Sequence, residues 1–198
     1  MKFFRCCLVA AIFLPLSGCW IIPEKIENHV RYIDNTSPPQ ITVIWHNISS
    51  DADTDEELKK DFDSFIDHLK SDTHQGIFLG SKKEVLIQKW EMYVENGKLQ
   101  LKVFATLADK FEDIASHDER MLVLDNEFTG KIETNGRLLQ TERNYIIVWP
   151  ETANELFWSN QIYPNAFVEN DQEDLEKLER NRAKLLKLFE AYKAGGKL

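Results

Sequence analysis

Asn96-Gly97 places the tightest local constraint on this chain. It separates two stretches in which apolar and charged residues alternate, Trp90 to Glu95 and Lys98 to Val103. A two-residue Asn-Gly link favours a tight β-hairpin, because both residues tolerate the left-handed backbone that matches strand twist. Folding the chain about it sets Val94 against Leu99, Met92 against Leu101 and Trp90 against Val103 on one face. Glu95 meets Lys98 and Glu91 meets Lys102 on the other. Apolar pairs on one side and opposite charges on the other suit a half-buried sheet. A slip of one residue would bury the charges, so the register is strongly specified. Upstream, Val85 and Ile87 fall in the opposite phase, which predicts a β-bulge near Gln88-Lys89.

The rest of the chain extends this sheet and adds two helices. Residues 40–48 read as a strand, with Ile41, Val43 and Trp45 on one face. Leu58, Phe62, Phe65, Ile66 and Leu69 have the three-and-four spacing of one apolar stripe, which predicts a helix over 55–70. Thr54 and Glu57 have the spacing of a capping box at its start. A short helical turn is expected over Asp109–Ala115 and a strand over Met121–Leu124. The second Asn-Gly, Asn135-Gly136, predicts a second hairpin that joins Phe128–Thr134 to Arg137–Gln140. Tyr145–Trp149 is apolar at every position and reads as a central strand covered on both faces, with a last strand over Phe157–Tyr163. A long C-terminal helix is expected over 172–194, capped by Asp171 and ended by Gly195-Gly196. Leu175, Leu178, Leu185, Leu186, Phe189 and Tyr192 line one side of it. The fold class is α+β: a mainly antiparallel sheet with one internal helix and a long terminal one.

The first 19 residues follow a different logic. Lys2 and Arg5 precede an apolar run from Cys6 to Leu16, and small residues follow at Ser17 and Gly18. That is the layout of a secretory signal peptide, and the run is shorter than the roughly 20 residues a spanning helix needs. Leu16-Ser17-Gly18-Cys19 resembles the lipobox of bacterial lipoproteins. The resemblance implies cleavage before Cys19, a diacylglyceryl thioether on its sulfur, an acyl chain on the new amino group, and a place in the cell envelope. The residue after the cysteine is Trp20 rather than the aspartate associated with inner-membrane retention, which favours the outer membrane if the host is diderm. The organisation then reads as a signal peptide over 1–18, a lipidated tether over 19–39 and one α+β domain over 40–198. Pro23 and the run Asn35 to Pro39 break the tether, with one strand over His29–Ile33 between them.

Composition narrows the function. Loss of Lys2 and Arg5 takes the net charge from −9 to −11, and a body that acidic repels nucleic acid and anionic headgroups. Nucleic-acid binding is not expected, and the membrane is expected to be met through the lipid on Cys19. Cys6 and Cys7 leave with the signal, so the mature chain keeps neither a disulfide nor a free thiol.

The spacings that carry chemistry are weak. Asp51-x-Asp53-x-Asp55 opens like a calcium loop, but Glu56 stands where that loop needs glycine and Phe62 where it needs glutamate. An acidic helix entry accounts for it. His46, His68, His74 and His117 lack the spacing of a zinc site, and no GxSxG or phosphate-cradling glycine loop occurs. No metal or other cofactor is expected. Trp149, Phe157, Trp158 and Tyr163, with Phe167 beyond, form an aromatic stretch suited either to a core or to a ligand groove. The expectation is a lipid-anchored envelope protein that binds or scaffolds without catalysis, with an envelope protein as a partner. Two alternatives stand beside it: an anchored hydrolase whose histidines and acids converge in three dimensions, and an inhibitor or immunity-type lipoprotein.

Overall fold

The computed structural model describes residues 21–33, 37–70, 73–75, 84–107, 119–125, 130–162 and 172–196. The signal segment with Cys19, the turn expected at 109–115, the cap at Asp171, Tyr163, Phe167 and His117 lie outside them. The fold is α+β, with antiparallel sheets and two helices, one internal and one long and C-terminal.

In chain order the strands are β1 (Ile21–Ile22), β2 (Lys25–Arg31), β3 (Gln40–His46) and β4 (Ser49–Ser50). After α1 (Asp55–Leu69) come β5 (Thr73–Gln75), β6 (Glu84–Glu95), β7 (Lys98–Leu107) and β8 (Glu119–Asp125). Then follow β9 (Ile132–Thr134), β10 (Arg137–Gln140), β11 (Asn144–Pro150), β12 (Glu155–Gln161) and α2 (Gln172–Ala194). Seven strands form one sheet in the order β5-β6-β7-β3-β2-β12-β9. Both of its edges are strands of only three residues. β10-β11-β8 form a second sheet, and β1 pairs with β4.

The β6–β7 hairpin has the register its alternation demands, with Val94 opposite Leu99, Glu91 opposite Lys102 and Trp90 opposite Val103. Asn96 (φ 52°) and Gly97 (φ 74°) both take the left-handed conformation, as a type I′ turn requires. The pairing shifts between Ile87 and Lys89, where the phase of the apolar residues changes. α1 starts with both halves of its capping box: the Glu57 N–H donates to Thr54 Oγ1 at 3.2 Å, and the Thr54 N–H donates to Glu57 Oε2 at 3.2 Å.

The second Asn-Gly behaves differently from the hairpin expected of it. β9 pairs with β12 in the large sheet, while β10 pairs with β11 in the small one. Asn135-Gly136 is therefore a crossing between sheets, and neither residue takes the left-handed backbone of a tight hairpin turn. The segment read as a tether also needs correction. β1 and β2 are folded structure, and β2 is interior to the large sheet between β3 and β12. The boundary expected at residue 40 thus falls inside the fold. The strand expected over His29–Ile33 runs instead from Lys25 to Arg31, starting two residues after Pro23, and Ile26, Asn28 and Val30 alternate inward.

One face of the large sheet is covered. Phe65 of α1 stacks on Trp45 at 5.6 Å between ring centroids, and Phe62 meets Tyr192 of α2 edge-on at 6.0 Å. The small sheet joins the same core, where Trp149 lies 5.9 Å from Trp158. β11 is the middle strand of that sheet, and Ile147, Val148 and Trp149 are consecutive buried residues, so its last half is covered on both faces. α2 is tied to β4 by polar bonds that its apolar stripe does not announce. Ser49 Oγ donates to the Leu178 carbonyl at 2.6 Å. Buried Asn181 donates through Nδ2 to the carbonyls of Ser50 and Ala52, each at 2.8 Å.

Candidate functional site

The face of the large sheet opposite α1 carries the candidate site, and it is at least partly exposed at Phe157, His29, Thr42 and Phe104. Because side chains alternate along each strand, the residues between the core positions line up across it. Phe157, His29, Thr42 and Phe104 form one such row, strand by strand across β12, β2, β3 and β7. Glu155, Arg31, Gln40 and Thr106 form the row above, and Ser159, Glu27, Ile44 and Lys102 the row below. Phe157, His29, Thr42, Ile44, Lys102 and Phe104 line an open groove of about 530 Å³. Its floor is apolar at Phe157, Ile44 and Phe104 and polar between them. The His29 ring lies 4.9 Å from that of Phe157, and Lys102 Nζ sits 5.0 Å from the Phe104 ring centroid. Arg31 and Glu155 face each other at 3.7 Å at the upper end.

Below the groove, Glu27 collects three cationic or titratable partners. Lys25 Nζ is 2.9 Å from its carboxylate, His46 Nε2 3.3 Å and His29 Nε2 3.8 Å. Burial works to raise the Glu27 carboxyl, but the Lys25 hydrogen bond and the nearby His46 outweigh it and hold the group below its ordinary value. Burial likewise works to lower Lys25, and the carboxylates of Glu27 and Glu133 outweigh it and hold the ammonium above its usual value. The arrangement keeps a carboxylate ionised beside imidazoles on a sheet face.

The aromatic residues singled out from the sequence part company here. Trp149 and Trp158 are buried, at 3% exposure each, and face the core. Phe157, one residue before Trp158, points to the other side of the sheet and into the groove. Tyr163 is outside the described residues. Trp149 also borders a second depression of about 460 Å³ with Gly136, Arg137 and Glu119, at the junction of the two sheets.

Asn135 builds that junction. Its Oδ1 accepts from Trp149 Nε1 at 2.7 Å and from the Phe157 N–H at 2.9 Å, and its Nδ2 donates to the Glu155 carbonyl at 3.1 Å. Thr134 Oγ1 donates to the Phe157 carbonyl at 2.7 Å. These bonds fix the backbone that aims Phe157 into the groove. The sequence reading missed His29, Thr42, Phe104 and Asn135. For Phe104 a signal was present: in β7 the outward phase runs Gln100, Lys102, Phe104, Thr106, and an aromatic there stands out on a polar face.

Of the histidines singled out from the sequence, His46 and His68 fall on opposite faces of the large sheet. His46 and His29 meet Glu27 on the open face, whereas α1, which carries His68, packs on the covered face through Phe65. Asp53 and Asp55 are engaged by α2, with Lys177 Nζ 3.1 Å from Asp53 and Lys184 paired to Asp55. Among the described residues no group of three or more His, Cys, Asp or Glu is disposed to hold a metal ion, and no helix is long and apolar enough to cross a membrane.

Comparison with family models, with curated proteins and with solved structures finds no match to this chain.

Proposed function

We propose that the chain is a lipid-anchored protein of the bacterial cell envelope that binds or scaffolds without catalysis, and that the groove on the open sheet face is its binding surface. The lipobox Leu16-Ser17-Gly18-Cys19, behind a basic start and a short apolar run, carries the reading. One acyl chain holds a protein only marginally at a bilayer and two or more hold it stably, so the modification expected on Cys19 suffices as an anchor. The groove supports the binding half. It is open to solvent, and its apolar rings are separated by hydrogen-bonding side chains. Apolar rings set among a few polar groups suit contact with a ligand or partner, and the volume of about 530 Å³ lies within the range of about 300–1,000 Å³ usual for ligand sites.

Mass spectrometry of the N-terminal peptide tests the anchor, with a diacylglyceryl group on Cys19 expected and Cys19→Ala expected to leave the membrane fraction. An unmodified thiol at Cys19 refutes the reading. Cross-linking in native membranes tests the binding half. A recurrent envelope partner is expected, captured less by a Phe104→Ala/Phe157→Ala variant. The Glu27–His46 contact at 3.3 Å is the observation that favours the hydrolytic alternative. Turnover of a chromogenic ester that Glu27→Gln abolishes would move the assignment there.

A further inference from the structure

The chain leaves almost no length between the expected lipid and the folded body. Cys19 precedes Ile21 by two residues, and two extended residues span about 7 Å. Ile21 is not free to extend that reach. It pairs with Ser50, and Ile22 pairs with Ser49 and is buried. The next residues are tied as well: the Glu24 N–H donates to the His46 carbonyl at 2.9 Å, and the Ile162 N–H donates to the Glu24 carbonyl at 2.9 Å. The β4 partner is held in turn by α2 through Ser49, Ser50 and Asn181.

β1 is antiparallel to β4, so stepping from Ile22 back to Ile21 follows the direction from Ser49 to Ser50. The N-terminal chain thus leaves the body toward the 51–54 loop and the first turn of α1. That corner carries Asp51, Asp53, Asp55, Glu56 and Glu57, of which Asp53 and Asp55 are paired with Lys177 and Lys184 of α2. The pairing reduces the repulsion an acidic corner would meet at anionic headgroups within a Debye length of about 10 Å. The opposite end of the molecule lies well away. β2 runs from Lys25 to Arg31, about 20 Å at the usual strand rise, and exposed Ile33 lies beyond it. The upper rows of the groove, with His29, Arg31, Thr42, Phe104, Glu155 and Phe157, belong to that far end.

We propose that the protein stands directly on the bilayer, with no flexible spacer. The 51–54 loop, the first turn of α1 and the Lys177–Lys184 side of α2 rest against phospholipid headgroups, and the groove is presented to the aqueous side. This rests on lipidation of Cys19, and the test separates the two claims. Cys6 and Cys7 precede the cleavage point, so a cysteine introduced into the mature body is the only reactive thiol once Cys19 is a thioether.

Full-length Glu56→Cys and Ile33→Cys variants, processed in a bacterial host, are labelled with a fluorophore. They are then reconstituted in phosphatidylethanolamine–phosphatidylglycerol vesicles that carry a headgroup quencher. Quenching several-fold stronger at position 56 than at 33 is expected. Insertion of 15 Gly/Ser residues between Trp20 and Ile21 should bring the two positions to equal quenching while the protein stays with the vesicles. Equal quenching without the insertion, in protein that remains vesicle-bound, overturns the orientation and leaves the anchor standing. Protein that fails to associate with vesicles and carries an unmodified Cys19 overturns both.

Discussion

Gly136→Ala is the sharpest test of how the two sheets are joined. A Cβ at Gly136 would stand 2.7 Å from Trp149 Nε1, 2.8 Å from Trp149 Cε2 and 2.9 Å from Ile147 Cγ2. Carbon contacts are comfortable at about 3.5–4.0 Å, so close to an ångström of movement is required. The indole cannot easily supply it. Trp149 Nε1 is bonded to Asn135 at 2.7 Å, and the ring lies against Trp158 at 5.9 Å. Overpacking of this kind costs about 1–3 kcal/mol. The smaller conformational freedom of alanine in the unfolded chain offsets about 0.4–1 kcal/mol of it. The net loss is up to about 2.6 kcal/mol, or up to roughly 10 °C in Tm for a chain of this size. The other Asn-Gly supplies the control. Gly97 has φ +74° and nothing within 4 Å of where a methyl would stand, so Gly97→Ala incurs only the cost of the left-handed backbone, about 1–2 kcal/mol. Urea unfolding measures both losses, and near-UV circular dichroism separates their causes. The tryptophan bands should change in Gly136→Ala and stay as in the parent in Gly97→Ala. A Gly136→Ala protein of parental stability with unaltered tryptophan bands would refute the packing of Trp149 on this glycine.

Asn181→Leu should cost about 1–3 kcal/mol in urea unfolding, because the buried carbonyls of Ser50 and Ala52 lose their donor. Glu27 has a folded-state carboxyl held below its ordinary value, so its stabilisation is present above the ordinary carboxylate range and is lost as pH falls through the lower folded value. Glu27→Gln should therefore flatten the acid side of a Tm-against-pH curve. Asp61 has the opposite sign: burial, with Asp51 and Glu57 close by, outweighs its Ser50 hydrogen bond and raises it, so its cost appears as pH rises past the ordinary value. Asp61→Asn should raise Tm at pH 7 and leave it unchanged near pH 3. Asp53→Asn breaks an exposed pair with Lys177 and should change stability by less than about 1 kcal/mol at 0.15 M salt, measured the same way.

What the sequence disclosed depended on whether local chemistry and the tertiary fold made the same demand. At Asn96-Gly97 they did. The turn residues, the apolar alternation and the charge pairs all specify one register, and the bulge follows from the change of phase at Ile87. α1 was legible for the same reason, through stripe and capping box, and α2 through its stripe and the glycines that end it. Asn135-Gly136 offered identical letters, but its neighbours pair with strands far along the chain, and the Asn135 amide is taken up by Trp149, Glu155 and Phe157. β2 was obscured by the breakers on either side and by Asn28, a polar residue at an inward position. The groove was the least visible part, because its residues come from β2, β3, β7 and β12 and meet only when those strands align. Of the aromatic stretch, Phe157 alone among the described residues reaches it, since adjacent residues of a strand face opposite ways.

The three-residue borders of the large sheet bear on how copies of this chain would meet one another. An unpaired strand edge invites a neighbour's strand, and the proposed anchoring, by confining copies to a plane, would multiply those encounters. Here β9 offers few free backbone groups, and its Glu133 is flanked by Lys131 and Lys25 at 3.0 and 3.4 Å. So short and charged an edge gives another chain little to pair with along β9.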